Sequence, residues 1–364
     1  MGQRKERQSN MELLRIVAML MVVSLHYLGK GGLLKSAPFD MKATDYVVWI
    51  LEAFCIVAVN VYVLISGYFM IESTFRWKKV IALWLQIAFY SVLVPVFLVA
   101  TGILKISDIP IHRLLMYLFP VLMEHYWFAT SFVFLYLFSP FLTKGIRAMS
   151  QIQHRNVTIG MLTVFSLIKS ILPITLDYDT AGYDVIWFIC LYLVASYIRL
   201  YGIHFFSSLK KSLLIYVAAV FSIFGWMFVM NLIGLKTGSF TERIGMSYEY
   251  NHLLVLLAAV ALFYVFFYIK NFQGKLSIWI IKIAEGTFGV YLLHEHIEIR
   301  DLWPQWFGVN ESAKYGFSVI RYIITIILVF LIGIIIDAIR RFLFGLIGKL
   351  PVFVRIIGKL DKIQ

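Results

Sequence analysis

The stretch from Glu12 to Gly29, ELLRIVAMLMVVSLHYLG, decides how the rest of the chain is read. It is apolar over roughly the length that crosses a bilayer, yet it carries an arginine, Arg15, near one end and an imidazole, His26, near the other. Eleven positions separate them, about three helical turns, so on an α-helix both leave the same face about 16 Å apart along the axis. Ionisable groups inside a spanning helix are costly, and two on one stripe are poorly explained by contact with lipid. Two readings follow. In one, the stripe lines a passage whose first mouth binds an anion and whose far end does proton chemistry. In the other, Arg15 snorkels its guanidinium to the headgroups and His26 caps the opposite end.

Composition extends the membrane reading to the whole chain. Its 364 residues are 61% hydrophobic and only 15% charged, with a mean hydropathy of +0.84, more apolar surface than a soluble domain of that size can bury. The expected fold is an all-α polytopic membrane protein of about ten transmembrane helices. Further apolar runs lie near 46–70, 80–102, 127–142, 156–173, 185–201, 212–235, 250–269, 276–294 and 317–338. The apolar patch within 103–126 is too short to span and is broken by Pro120, so it reads as an interfacial or re-entrant piece. One membrane domain over 1–339 is expected, followed by a basic amphipathic cytoplasmic tail over 340–364.

The net charge of +13 does not speak for nucleic acid, because the basic residues fall in the short segments between apolar runs. Segments on the side shared by the two termini hold 20 Lys and Arg, about twice the number opposite, which predicts both termini in the cytoplasm. The opening MGQRKERQ imitates a secretory signal, but no small-residue cleavage site follows and His26 interrupts the run, so it reads as a retained first span. Cys55 and Cys190 sit inside apolar runs and imply no disulfide framework.

Several other residues invite chemistry. The basic knot Arg76, Lys78 and Lys79 is either an ordinary positive-inside signal or, with Arg15, a phosphate-binding mouth, a task that suits the planar, permanently charged guanidinium. Histidine at the far end suits base catalysis, since its pKa lies near working pH. Glu52, Asn60 and Ser66 are too polar for lipid and should face the bundle interior, as substrate contacts or as ties between helices. The run EHYWF at 124–128 puts Tyr126 and Trp127 at a membrane boundary, as an aromatic belt or a sugar platform. His294 closes an apolar run; His294, Glu295 and His296 are consecutive and would point in different directions on a helix, so no metal site is expected there. Walker, GxSxG, HExxH and CxxC patterns are absent from the sequence.

Taken together, the Arg15–His26 spacing, the ISGYF run at 65–69, the basic loop after it, YWF at 126–128 and FGVYLLH at 288–294 resemble the acyltransferase 3 family. These are membrane-bound O-acyltransferases that decorate bacterial surface polysaccharides and peptidoglycan. The resemblance spans the whole chain. It implies a multi-pass protein of the bacterial plasma membrane that takes an acyl group, usually acetyl, from cytoplasmic acyl-coenzyme A and passes it to a glycan hydroxyl at the outer face. It implies His26 as the catalytic residue and Arg15 as a coenzyme-side contact. The reading of the residues themselves adds Arg15 as a second catalytic candidate, Arg76, Lys78 and Lys79 as candidate contacts to acetyl-CoA, and Glu52, Asn60, Tyr126, Trp127 and His294 as candidate contacts to the acceptor. Partners implied are acyl-CoA, a glycan or polysaccharide, membrane lipids and other polysaccharide-assembly membrane proteins. The family's basic loop often reads Arg-x-x-Arg, whereas this chain has Arg76 and Lys79. No counterpart of the appended extracellular esterase-like domain of some relatives is expected here.

Whether His26 acts as general base or carries the acyl group is open at this point. Two other classes stay open on the residues: a glycan-lipid flippase in which Arg15 binds a lipid phosphate, against which stands the lack of a visible pair of broken helices, and a polysaccharide polymerase, which would want a larger outer loop.

Overall fold

In lipid, a backbone must satisfy its own hydrogen bonds, and apolar runs of this length do so as helices. The computed structural model describes residues 7–34, 40–171, 179–309, 311 and 317–347, and among them there is no strand. The helices are α1 (Ser9–Lys30), α2 (Ala43–Cys55), α3 (Ala58–Met70), α4 (Trp77–Ala100), the short α5 (Ile111–Leu118), α6 (Trp127–Ala148), α7 (Gln151–Leu162), α8 (Ile168–Ile171), α9 (Val185–Tyr201), α10 (Leu209–Thr237), α11 (Leu253–Phe267), α12 (Gly274–Ala284), α13 (Thr287–His294), α14 (Trp303–Trp306) and α15 (Val319–Ile347). Eight segments among the described residues are long and apolar enough to cross a membrane, counting α2–α3 and α12–α13 as one each. The sequence reading expects two more, and these are α9, shorter at 17 residues, and the α7–α8 stretch, which a π-helical turn at Thr163–Leu167 divides. The chain is an all-α polytopic membrane protein.

Burial separates centre from rim. The spanning windows of α1 and of α2–α3 are 67% and 78% buried, against 28% for α4 and α10 and 33% for α15, so α1 and α2–α3 form the middle and the latter three meet lipid. α1 packs against α2, α3, α11, α12, α13 and α15. Its start is pinned by Asn10, whose Nδ2 donates to the carbonyls of Phe266 and Ile269 at 3.0 Å, and by Ser9 Oγ, which accepts from Phe272 N at 2.8 Å. These bonds satisfy the polar groups that flank the helix start and fix its rotation, hence the stripe that carries Arg15 and His26.

Three features depart from the sequence reading. No broken span is legible in the sequence, yet two spans are interrupted, at 56–57 between α2 and α3 and at 285–286 between α12 and α13; the residues there keep right-handed helical dihedrals, so each span bends without unwinding. The last helix runs on past Ile339 to Ile347, and the remainder of the expected tail lies outside the described residues. Lys169, inside the fifth apolar run, is buried. It is accounted for by partners: ion pairs to Asp179 and Glu249 and a 2.9 Å bond to Asn251 Oδ1. A buried ammonium survives only with such company.

Candidate active site

The stripe of α1 runs Arg15, Met19, Val22, His26, and all four line cavities. At the His26 end α1 meets α13. His294, on the last turn of α13, places Nδ1 2.6 Å from the Val290 carbonyl of its own helix and Nε2 2.8 Å from His26 Nδ1. A carbonyl only accepts, so Nδ1 of His294 carries the proton and, with both rings neutral, its Nε2 accepts from His26 Nδ1–H. The Nε2 of His26 is thereby left with a lone pair. Glu295 Oε2 stands 3.3 Å from that nitrogen, and burial pushes the Glu295 carboxyl above the usual carboxylate range. Arg300 lies 3.8 Å from its other oxygen. The arrangement supplies an oriented imidazole base beside a carboxyl that can share its proton.

A second layer holds the turn after α13. Ile297 N donates to His125 Nε2 at 3.4 Å, which leaves the His125 Nδ1–H for Ser91 Oγ at 2.9 Å; Glu298 N donates to His296 Nδ1 at 3.1 Å, which leaves Nε2–H for the Ser91 carbonyl at 3.3 Å. Both rings are thus held neutral, and burial agrees, pushing His125 down to about 4 and His296 well below its ordinary value. Glu298 is clamped from α5 by Arg113 at 2.9 Å and by the Tyr117 hydroxyl at 2.6 Å. The short α5 therefore braces the His294–Glu298 turn from outside the bundle.

At the Arg15 end a cavity of about 320 Å³ is lined by Arg15, Ser66, Lys79, Leu83, Phe132 and Tyr136, among others. Arg15 faces Glu12 at 3.8 Å, and its buried Nε makes no hydrogen bond among the described residues. An unmatched guanidinium donor at the wall of a hollow that Lys79 also lines is an arrangement able to bind an anion. Toward His26 the stripe continues through Met19 and Val22 into a hollow of only about 30 Å³ lined also by Tyr62, Phe128, Trp127 and Tyr250. Phe128 and Phe132 of α6 stack 6.0 Å apart, one on each hollow. The ends are polar and the stretch between them is apolar.

An acyltransferase domain profile matches residues 8–338, about nine-tenths of the chain. The chain belongs to the acyltransferase 3 family. It is a membrane acyltransferase, and the stripe that faces both hollows lies within the matched region. No curated protein and no solved structure matches it.

The candidate residues of the sequence reading fall in different places. Arg15 and Lys79 share one cavity; Arg76 and Lys78 are exposed beside it and do not line it. His26, His294 and Trp127 gather at the opposite end. Tyr126 is buried behind them, its ring stacked 4.2 Å from that of His125. Asn60 is spent on structure: its Nδ2 donates to the Tyr250 carbonyl at 2.7 Å and its Oδ1 accepts from Trp187 Nε1 at 2.9 Å, tying α3 to α9 and to the segment before α11. Ser66 bonds the Tyr62 carbonyl of its own helix at 2.8 Å while lining the Arg15 cavity. Glu52 is buried on α2, away from the lining of either hollow, with Oε2 making no hydrogen bond among the described residues. Tyr183 and Tyr250 are additions that sequence reasoning missed, and Glu295, weighed there only as a metal ligand, joins the His26–His294 pair. Tyr183 and Tyr250 come from separate loops, and their rings meet Trp127 at 4.5 and 5.6 Å.

Proposed function

We propose that this acyltransferase moves an acyl group, acetyl in the first instance, from acyl-CoA on the cytoplasmic side of a bacterial plasma membrane to a hydroxyl of a surface glycan on the other side. The observation that carries this reading is the placement of Arg15 and His26 on one stripe of α1, with a basic hollow at one end and an oriented imidazole at the other. The Lys and Arg bias supports a cytoplasmic Arg15 end. Coenzyme A is a polyanion on a long neutral arm. Arg15 and Lys79 hold the phosphates, and the arm and its thioester reach up the apolar stripe past Met19 and Val22.

At rest His26 Nε2 and the Glu295 carboxyl hold one proton between them, and the acceptor hydroxyl takes the place of the carboxyl at Nε2. The hydroxyl oxygen then attacks the thioester carbonyl carbon. A C–O bond forms, the C–S bond breaks, and the hydroxyl proton passes to His26 Nε2 and on to the leaving thiolate. The bond from His26 Nδ1–H to His294 Nε2 stabilises the imidazolium formed in between. The aromatic cluster of Trp127, Tyr250 and the half-exposed Tyr183 supplies flat faces for a sugar ring beside the base.

The experiment is transfer of label from acetyl-CoA, offered to inside-out vesicles holding the full-length protein, to glycan. Label should appear in the glycan, and His26→Ala should lower its rate by about 10²–10⁴-fold, the usual share of general-base catalysis. Undiminished transfer by folded His26→Ala, or movement of lipid-linked sugar that ignores acetyl-CoA, overturns the reading.

A further inference from the structure

The connection between α3 and α4 divides two basic hollows of nearly equal size. One is the cavity of about 320 Å³ at Arg15 and Lys79. The other, about 340 Å³, is lined by Lys144 and Arg147 from the last turns of α6, by Ser139, Pro140 and Thr143 before them, and by Phe75. Ser73 lines both. The partition is a ring pair: Phe75 and Tyr136 stack with centroids 5.3 Å apart, Tyr136 facing the first hollow and Phe75 the second. Arg147 donates to the Ile71 carbonyl at 2.9 Å, and this bond holds its guanidinium at the rim next to the connection. Of the two, the first alone is lined by a residue of the α1 stripe, Arg15.

A ligand that fills both hollows has anionic groups at two separated points, an apolar ring system near one of them, and a thin tail that leaves from the other. Acyl-CoA has that layout: a pyrophosphate between the pantetheine arm and the ribose 5′-oxygen, and a separate phosphate on the ribose 3′-oxygen, beside the adenine. We propose that the second hollow seats the 3′-phosphoadenosine of the donor, with Lys144 and Arg147 on the 3′-phosphate and Phe75 and Pro140 against the purine, while Arg15 and Lys79 take the pyrophosphate. The proposal rests on the acyl-CoA reading above and adds to it a site that the Arg15 stripe does not contain. Guanidinium and ammonium groups suit a phosphate dianion, and an aromatic edge beside them suits a base. Splitting the anion between two hollows gives the enzyme a way to tell the 3′-phosphorylated carrier from its dephosphorylated form.

The test is binding of CoA and of 3′-dephospho-CoA to the full-length protein in nanodiscs at fixed ionic strength. The wild type should prefer CoA by about tenfold or more, the scale of one lost charge-assisted contact. Lys144→Ala with Arg147→Gln should erase that preference by weakening CoA alone, and unchanged affinity for 3′-dephospho-CoA then certifies that the variant is folded. Lys144→Ala by itself, at an exposed position, should lower the preference part of the way. Arg15→Ala should weaken both ligands alike and leave their ratio intact. Equal binding of the two ligands by the wild type, or a ratio that survives the double variant, overturns the proposal while the acyl-CoA reading stands. If the folded wild type binds neither ligand, both fall together.

Discussion

A backbone carbonyl has no proton to give, and from that one fact at Val290 the protonation of His294, and then of His26, follows in sequence. In the proposed reaction His294 is a positioning residue, since its bond to His26 Nδ1 leaves Nε2 as the basic nitrogen. Replacing His294 by Ala removes the acceptor of His26 Nδ1–H, and turnover should fall by about 10²-fold with the KM for acyl-CoA unchanged, while His294→Gln, whose amide oxygen can still accept, should keep more of it. Steady-state kinetics on the two variants decide this; an Ala variant that turns over like the wild type sinks it. Arg15 and His26 were legible from the chain because a spacing of eleven needs nothing but helix geometry. Glu295 was not. Next to His294 on a helix it would point elsewhere, and only the turn at the end of α13, where Glu295 has φ −97° and ψ 5°, brings its carboxyl to the same imidazole pair.

At the level of the helix, α13 reaches His26 because it lies unusually close to α15. A Cβ built on Gly289 would stand 2.3 Å from Asp337 Oδ1, and one on Gly333 2.9 Å from the Val290 Cα. Asp337 cannot yield, since it is fully buried and bound by Gln86, Tyr90, Arg340 and Arg341. Gly289→Ala should therefore cost about 1–3 kcal/mol, as overpacking does, and show a lower unfolding midpoint in detergent. Gly225→Ala on α10, where an added Cβ meets nothing within 4 Å, should leave the midpoint unchanged or raise it. Equal midpoints for the two variants would refute the close-packing account. The sequence placed the spans well because hydropathy reports burial in lipid directly. It gave no sign of the bend at 56–57, where Ile and Val replace the Gly or Pro that normally marks an interruption, and tertiary contacts alone put the bend there. The partners of Lys169 were equally hidden, since Asp179 and Glu249 lie in two loops that meet only in the fold.

For the molecule as a whole, the charge bias makes a prediction about sidedness. Ser107 and Ser207 are both exposed, in connections at opposite ends of the bundle, and the two native cysteines are buried. A membrane-impermeant maleimide should label Ser107→Cys in intact cells and Ser207→Cys only after the membrane is opened; the reverse pattern would place Arg15 on the outside and remove the cytoplasmic donor with it. The gross architecture was open to reading because lipid leaves a chain so few options. The lining of the hollow at His26 was closed to reading, since Tyr62, Phe128 and Tyr250 come from three distant stretches of sequence.

The narrow, apolar section of the α1 stripe between those hollows also has an electrical meaning. Met19, Val22 and Phe128 offer a file of water molecules nothing to bond to, so the bundle acts there as a dielectric plug between compartments held at different potentials. A bundle sealed in this way leaves the voltage across the membrane untouched.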